Sequence, residues 1–225
     1  MTRDRRKNGL IWLLILLIVT ALLGIIYVAG NGEAEISVDK NNQTGQISND
    51  QIGSKDAPVM ITEYADLMCS SCVEFHEKTL PQVQQNYIDT GKATIRLKLV
   101  NKIAPDSLQA AEGAQCAAEE DKYIEYIDAA FAELSEERAR GISAYETTIY
   151  SSGRIGDLAD TIEIDRQKFE ACVSSGKYKS KVASVTTEFD ELEKVYGTPH
   201  FIIDGKGYNG AAPYAIFKAA IDAAL

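Results

Sequence analysis

Cys69 and Cys72, in the run Cys69-Ser70-Ser71-Cys72, are the residues of this chain best suited to chemistry. A pair at this spacing cycles between dithiol and disulfide and moves two electrons with no dissociable cofactor. Structural zinc uses the same spacing but needs two further ligands. The other candidates, Cys116, Cys172, His76 and His200, hold no second close pair, so the residue types favour redox chemistry over a metal.

Reactivity at such a pair depends on what positions it. Residues 59–64 are a short β-prone run after Pro58, and residues 70–88 are helical in pattern, with Pro81 expected to kink them. The motif therefore sits between a strand and a helix start. Free N–H groups and the partial positive charge there stabilise a thiolate. Cys69 comes first, so its pKa should fall below the free value of about 8.5 and make it the exposed nucleophile. Cys72, one turn further in, is the resolving thiol. Glu63 shares a strand face with Val59 and Ile61, which puts a carboxylate where apolar groups point. His76, on the same helix side as the cysteines, reads as a partly exposed helix residue rather than a tuner of the thiolate.

The rest of the chain must complete a sheet around this βα unit. Residues 93–100 alternate apolar and basic side chains as a strand does. From Pro105 to Tyr196 the pattern is helical. Tyr123, Ile127, Phe131 and Leu134 recur at three and four, and Tyr178, Val182, Val185, Phe189, Leu192 and Tyr196 follow heptad-like spacing. Residues 201–203 and 206–209 read as two strands around the turn Asp204-Gly205, and a last helix starts near Pro213. Two strands alone cannot hold a sheet. The order βαβ, helical block, ββα therefore predicts one α/β domain over 54–225, with a helical insertion at about 105–196.

Residues 10–29 contain no charge, and twenty helical residues span about 30 Å, one hydrocarbon thickness. Arg3, Arg5, Arg6 and Lys7 precede them, so the expectation is a retained single-pass anchor with residues 1–9 cytoplasmic and the body outside the cell membrane. Residues 30–53 are polar and read as a linker. The chain carries a net charge of −10 and no basic cluster outside residues 1–9, which argues against nucleic acid as a partner. An extracytoplasmic body permits disulfides. Cys116 and Cys172 lie on apolar helix faces, where buried free thiols are equally ordinary.

The stretches ITEYADLMCSSCVEFH (61–76), CAAEEDKYIEYIDAAF (116–131), FEACVSSGKY (169–178) and YGTPHFIIDGKGYNGAAPYAIF (196–217) resemble the DsbA-like branch of the thioredoxin superfamily. The resemblance covers the whole body. It implies a thioredoxin fold with an inserted helical subdomain and a catalytic Cys69–Cys72 pair. It also implies a cis-proline at Pro199 that, with Thr198, faces the cysteines and pairs with substrate. Glu63 would lie beneath the disulfide and assist proton transfer to Cys72, and Cys116 would bond to Cys172 as in some relatives. The implied activity is an oxidase that passes its disulfide to reduced polypeptides and is re-oxidised by a quinone-linked membrane protein of the DsbB or vitamin K epoxide reductase kind. A reductase or isomerase of the same fold, and a non-catalytic peptide-binding module, are the alternatives. Isomerases of the superfamily usually carry a dimerisation domain, and residues 30–53 offer none, which counts against an isomerase; a monomer is expected.

Overall fold

The computed structural model describes residues 50–143 and 149–225. The expected anchor and most of the linker lie outside the described residues. Among the described residues no helix is long and apolar enough to cross a membrane.

Five strands form one sheet in the order β1-β3-β2-β4-β5. At its centre β2 (Val59–Ala65) runs parallel to β3 (Ala93–Leu99) and antiparallel to β4 (His200–Ile203). Both faces of β2 are covered, and Ile61, Tyr64 and Ala65 are all buried. On one side β5 (Lys206–Asn209) closes a hairpin through Asp204 and Gly205, at φ 48° and 71°. Those positive angles match the twist of the flanking strands. On the other side β1 (Gln51–Ile52) pairs antiparallel with β3, opposite Arg96 and Ile95. The sheet thus begins three residues before the boundary read at Ser54. Gly53, at φ +102°, makes the join, and a Cβ there would come within 2.6 Å of Ile88 Cγ2.

The crossover from β2 to β3 is one helical run, α1. It comprises α-helical Ser70–Glu74, π-helical Phe75–Thr79, α-helical Leu80–Val83 and π-helical Gln84–Ile88. Pro81 has no N–H and its ring crowds the preceding turn. The run absorbs this by widening ahead of Pro81, where the Leu80 N–H reaches back five residues to the Phe75 carbonyl. The expected kink is therefore a π turn. Phe75 meets Phe201 of β4 and Phe217 of the last helix at ring distances of 4.5 and 5.1 Å.

Between β3 and β4 lies the helical insertion: α2 (Ser107–Ala117), α3 (Tyr123–Ala139), α4 (Ser152–Thr161), α5 (Arg166–Ser174) and α6 (Lys179–Asp190). Small residues of α2 (Ala110, Ala111, Ala114 and Ala117) are buried and let its neighbours approach closely. Tyr123, Ile127, Phe131 and Leu134 of α3 are buried together, as their spacing predicts. A disulfide joins Cys116 of α2 to Cys172 of α5, with Cα atoms 6.0 Å apart. The heptad pattern read through Tyr196 ends early. Helix α6 stops at Asp190, the chain turns through Lys194 at φ 60°, and Tyr196 is left 83% exposed. The last helix, α7 (Tyr214–Ala224), returns to the sheet beside α1, where Tyr87 donates to Asp222 at 2.7 Å. This is the thioredoxin arrangement with an inserted helical subdomain.

Candidate active site

Strand β2 ends at Ala65 and delivers Asp66, whose side chain is fully buried. Its carboxylate accepts from Met68 N–H at 2.9 Å, Ser107 Oγ at 2.8 Å, Lys102 N–H at 2.8 Å and Ile103 N–H at 3.0 Å. Its backbone carbonyl accepts the Cys69 N–H at 2.9 Å. Burial pushes the Asp66 carboxyl up, and the four hydrogen bonds pull it back. The residue ties the cysteine loop to the segment that opens the helical insertion. An Asp three residues before the first cysteine is the only sequence trace of this, because three of its four donors are 36 to 41 residues away.

Cys69 is the cap of α1, with extended backbone at φ −90° and ψ 115°. Its sulfur accepts the Cys72 N–H at 3.4 Å and donates to the Thr198 carbonyl at 3.2 Å. Both cysteines are free thiols. The Cys69 thiol is lowered to about 7 by its hydrogen bond with the Cys72 thiol, against a burial cost, with further help from Thr198 and the N–H groups of Cys72 and Ser71. Cys69 was expected to be exposed, but only 6% of it is, because the Thr198 loop covers the sulfur. Cys72 is fully buried. Burial first, then the hydrogen bond and charge of Cys69 and the charge of Glu63, push its thiol well up.

The Thr198–Pro199 bond is cis, and the hairpin after it fixes the loop. Asn209 accepts the Tyr196 N–H at 3.1 Å, donates to the Lys194 carbonyl at 3.0 Å and meets His200 Nδ1 at 2.9 Å. The Gly210 N–H donates to the Pro199 carbonyl at 2.8 Å. These contacts hold the Thr198 carbonyl over Cys69. Cys69, Cys72, Thr198 and Pro199 thus come together as one cluster.

Glu63 is fully buried on β2, and its charge reaches Cys72. Both its oxygens contact His76 Nε2, at 3.3 and 3.2 Å. His76 is of intermediate burial, as its helix position suggested, but its side chain is turned inward and only 7% exposed. The insertion covers it. Phe131 of α3 stacks on the imidazole at 4.5 Å, and Phe75 meets it edge-on at 5.5 Å. Its sequence signal was a buried carboxylate that required a partner.

Cys116 and Cys172 lie in the insertion, apart from this cluster. With Glu119 they form the only metal-type grouping among the described residues, but their sulfurs are bonded to each other and are not thiolate ligands.

The chain is similar to several known proteins. A Rickettsia bellii protein that carries a protein-disulfide oxidoreductase name is 24% identical over 175 residues, 77% of this chain and 63% of that protein. The chain thus spans less than two thirds of that relative's length. Disulfide bond formation protein D of Bacillus subtilis is 25% identical over 177 residues, 77% of this chain and 76% of that one. The crystal structure of Wolbachia pipientis alpha-DsbA1 superposes with a TM-score of 0.65 at 22% identity, covering 81% of this chain and 94% of that one, which bears on the fold. The family described as Thioredoxin matches residues 46–223, and the chain belongs to that thioredoxin family.

Proposed function

We propose that this chain is a protein thiol–disulfide oxidoreductase working as an oxidase through Cys69 and Cys72. The observation that carries the thiol–disulfide chemistry, in either direction, is the asymmetry of the pair: Cys69 lowered to about 7 at a helix start, Cys72 buried and raised behind it. A substrate thiolate attacks Cys69 of the disulfide form and expels Cys72. A second substrate thiolate then attacks the substrate sulfur of the mixed disulfide, and Cys69 leaves as a thiolate. Two substrate thiols become one disulfide, and the protein becomes the dithiol. Thr198 and Pro199 line the approach to Cys69 and offer backbone to an extended peptide. Glu63 takes up and returns the Cys72 proton.

The oxidising direction is supported by the Bacillus subtilis relative, named for disulfide bond formation. Substrates are then reduced polypeptides, and a DsbB-type or vitamin K epoxide reductase-type quinone-linked membrane protein restores the disulfide. Residues 10–29 anchor the chain, with the body outside the membrane; the length of that uncharged run and its basic flank support this.

One observation favours a reductase as the second reading. A nucleophile near 7 resembles thioredoxin, whereas the strongly oxidising members reach about 3.5. The reduction potential, titrated against glutathione, tests both. A value near about −120 mV supports the oxidase, and one near about −270 mV reverses the electron flow.

A further inference from the structure

We propose that His76 is a positioning residue that passes protons between the buried Glu63 carboxylate and solvent, so that the Cys72 thiol can be ionised and reprotonated during exchange. The inference rests on the thiol–disulfide reading of Cys69 and Cys72 and extends it by a route.

The need for a route follows from burial. Cys72 and Glu63 are each 0% exposed, so neither exchanges a proton with bulk water directly. Glu63 has one side-chain neighbour that can take a proton onward, since His76 Nε2 lies 3.2 and 3.3 Å from its two oxygens. The second ring nitrogen, Nδ1, is buried and has no hydrogen-bond partner. A residue serving only to hold Glu63 in place would be expected to anchor its far nitrogen as well. The imidazole instead lines a pocket of about 350 Å³ between α1 and α3, together with Gln84, Glu125 and Asp128. His76 thus touches the buried acid and also borders a pocket whose walls mix these polar groups with apolar Ile52, Leu80, Pro81 and Ile124.

The proton balance closes with these groups. When Cys72 attacks a mixed disulfide at Cys69, its S–H proton passes to the Glu63 carboxylate. The Cys72 thiolate forms the new S–S bond, and the partner thiolate leaves. In the Nδ1–H tautomer, His76 accepts the proton from Glu63 at Nε2 and releases one from Nδ1 to the pocket. The ring begins and ends neutral. The reverse sequence protonates Cys72 when a substrate thiolate expels it. The charged or titratable groups around the ring are Glu63 from β2, Cys72 from its own helix, and Glu125 and Asp128 from α3. Phe75 and Phe131 also meet the ring.

The test separates two steps in the reduced full-length protein, mixed with oxidised glutathione and acid-quenched for mass spectrometry. Attack by Cys69 forms the glutathione adduct, and resolution by Cys72 releases it. In His76→Gln the first step stays within twofold of the parent, while resolution slows at least tenfold and its pH profile moves to the alkaline side. In His76→Ala the resolution rate recovers, with saturation, on adding free imidazole small enough for the pocket. Parent-like resolution in His76→Gln at every pH overturns the proposal. So does a slowed resolution in His76→Ala that imidazole does not restore while the first step is intact. A parent protein that never forms the adduct instead removes the thiol–disulfide reading itself, so the two failures are distinct.

Discussion

The unequal thiols make a measurable claim about protons. Below about pH 7 reduction of the Cys69–Cys72 disulfide takes up two protons, because both products are thiols. Above that value Cys69 stays a thiolate and only one proton is taken up. The midpoint potential should therefore fall by about 59 mV per pH unit below pH 7 and by about 30 mV above it. The sign follows from a depressed pKa: thiolate stabilisation of the reduced form is present at high pH and is lost as pH falls through about 7. A glutathione titration repeated from pH 5 to 9 shows the break, and a single slope would contradict the asymmetry. Asp66 makes a second claim. Asp66→Ala would strand three backbone N–H groups and the Ser107 hydroxyl. Buried donors left unmet cost about 1–3 kcal/mol each, so a loss of about 3 kcal/mol or more is expected in urea unfolding, with Cys69 alkylation changed as well. Residue type and spacing were enough to find the cysteines, and the period of two along β2 was enough to put Glu63 inside. His76 and Asp66 were not legible in this way. Their partners come from other elements, and a side chain's burial depends on what folds over it.

Elements were legible where a repeating pattern met a stop. The strand at 59–64, the strand at 93–100 and the Asp204-Gly205 hairpin all lie where alternation and turn residues place them. Two failures have a common physical cause. Strand β1 is two residues long and joins the sheet by pairing with β3, which no local pattern records. Tyr196 continues an apolar repeat, yet the helix ends before it because Asn209 and the hairpin hold residues 194–200 as a loop over Cys69. Tertiary contacts decided both. The Cys116–Cys172 bond acts on elements too, closing a loop with a sequence separation of 56 in the helical insertion. In the chain-entropy account such a loop contributes about 4 kcal/mol. Replacing both cysteines by Ala should lower the unfolding midpoint accordingly. The Cys69–Cys72 potential should stay within a few tens of millivolts, about the equivalent of 1 kcal/mol, because neither sulfur contacts the active cluster. A large shift in that potential would mean that the insertion's packing reaches the active thiols.

At the scale of the whole chain, the order of elements proved readable because chemistry and topology agree. A βαβ start and a ββα end can share a sheet only if the helices between them stand aside, and they do. The same division suggests how substrates meet the protein. The insertion covers His76 and holds the loop of Asp66, while the Thr198 loop covers Cys69 from the opposite end of the chain. A substrate sulfur must therefore reach Cys69 beside Thr198, and Cys72 must wait behind it until the mixed disulfide forms. Cys72→Ser removes the resolving thiol but keeps a hydroxyl that cannot displace the bound sulfur. The variant expressed as the full chain should accumulate disulfide-linked adducts through Cys69, visible as reductant-sensitive bands, and Cys69→Ser should give none. If the body lies outside the cell membrane, protease added to intact cells with the outer layers opened should degrade those adducts while the membrane is whole. The proteins released from them by reductant should be exported ones that carry cysteines. Adducts protected from protease, or made of cytoplasmic proteins, would place the body on the other side and remove the oxidase reading with it.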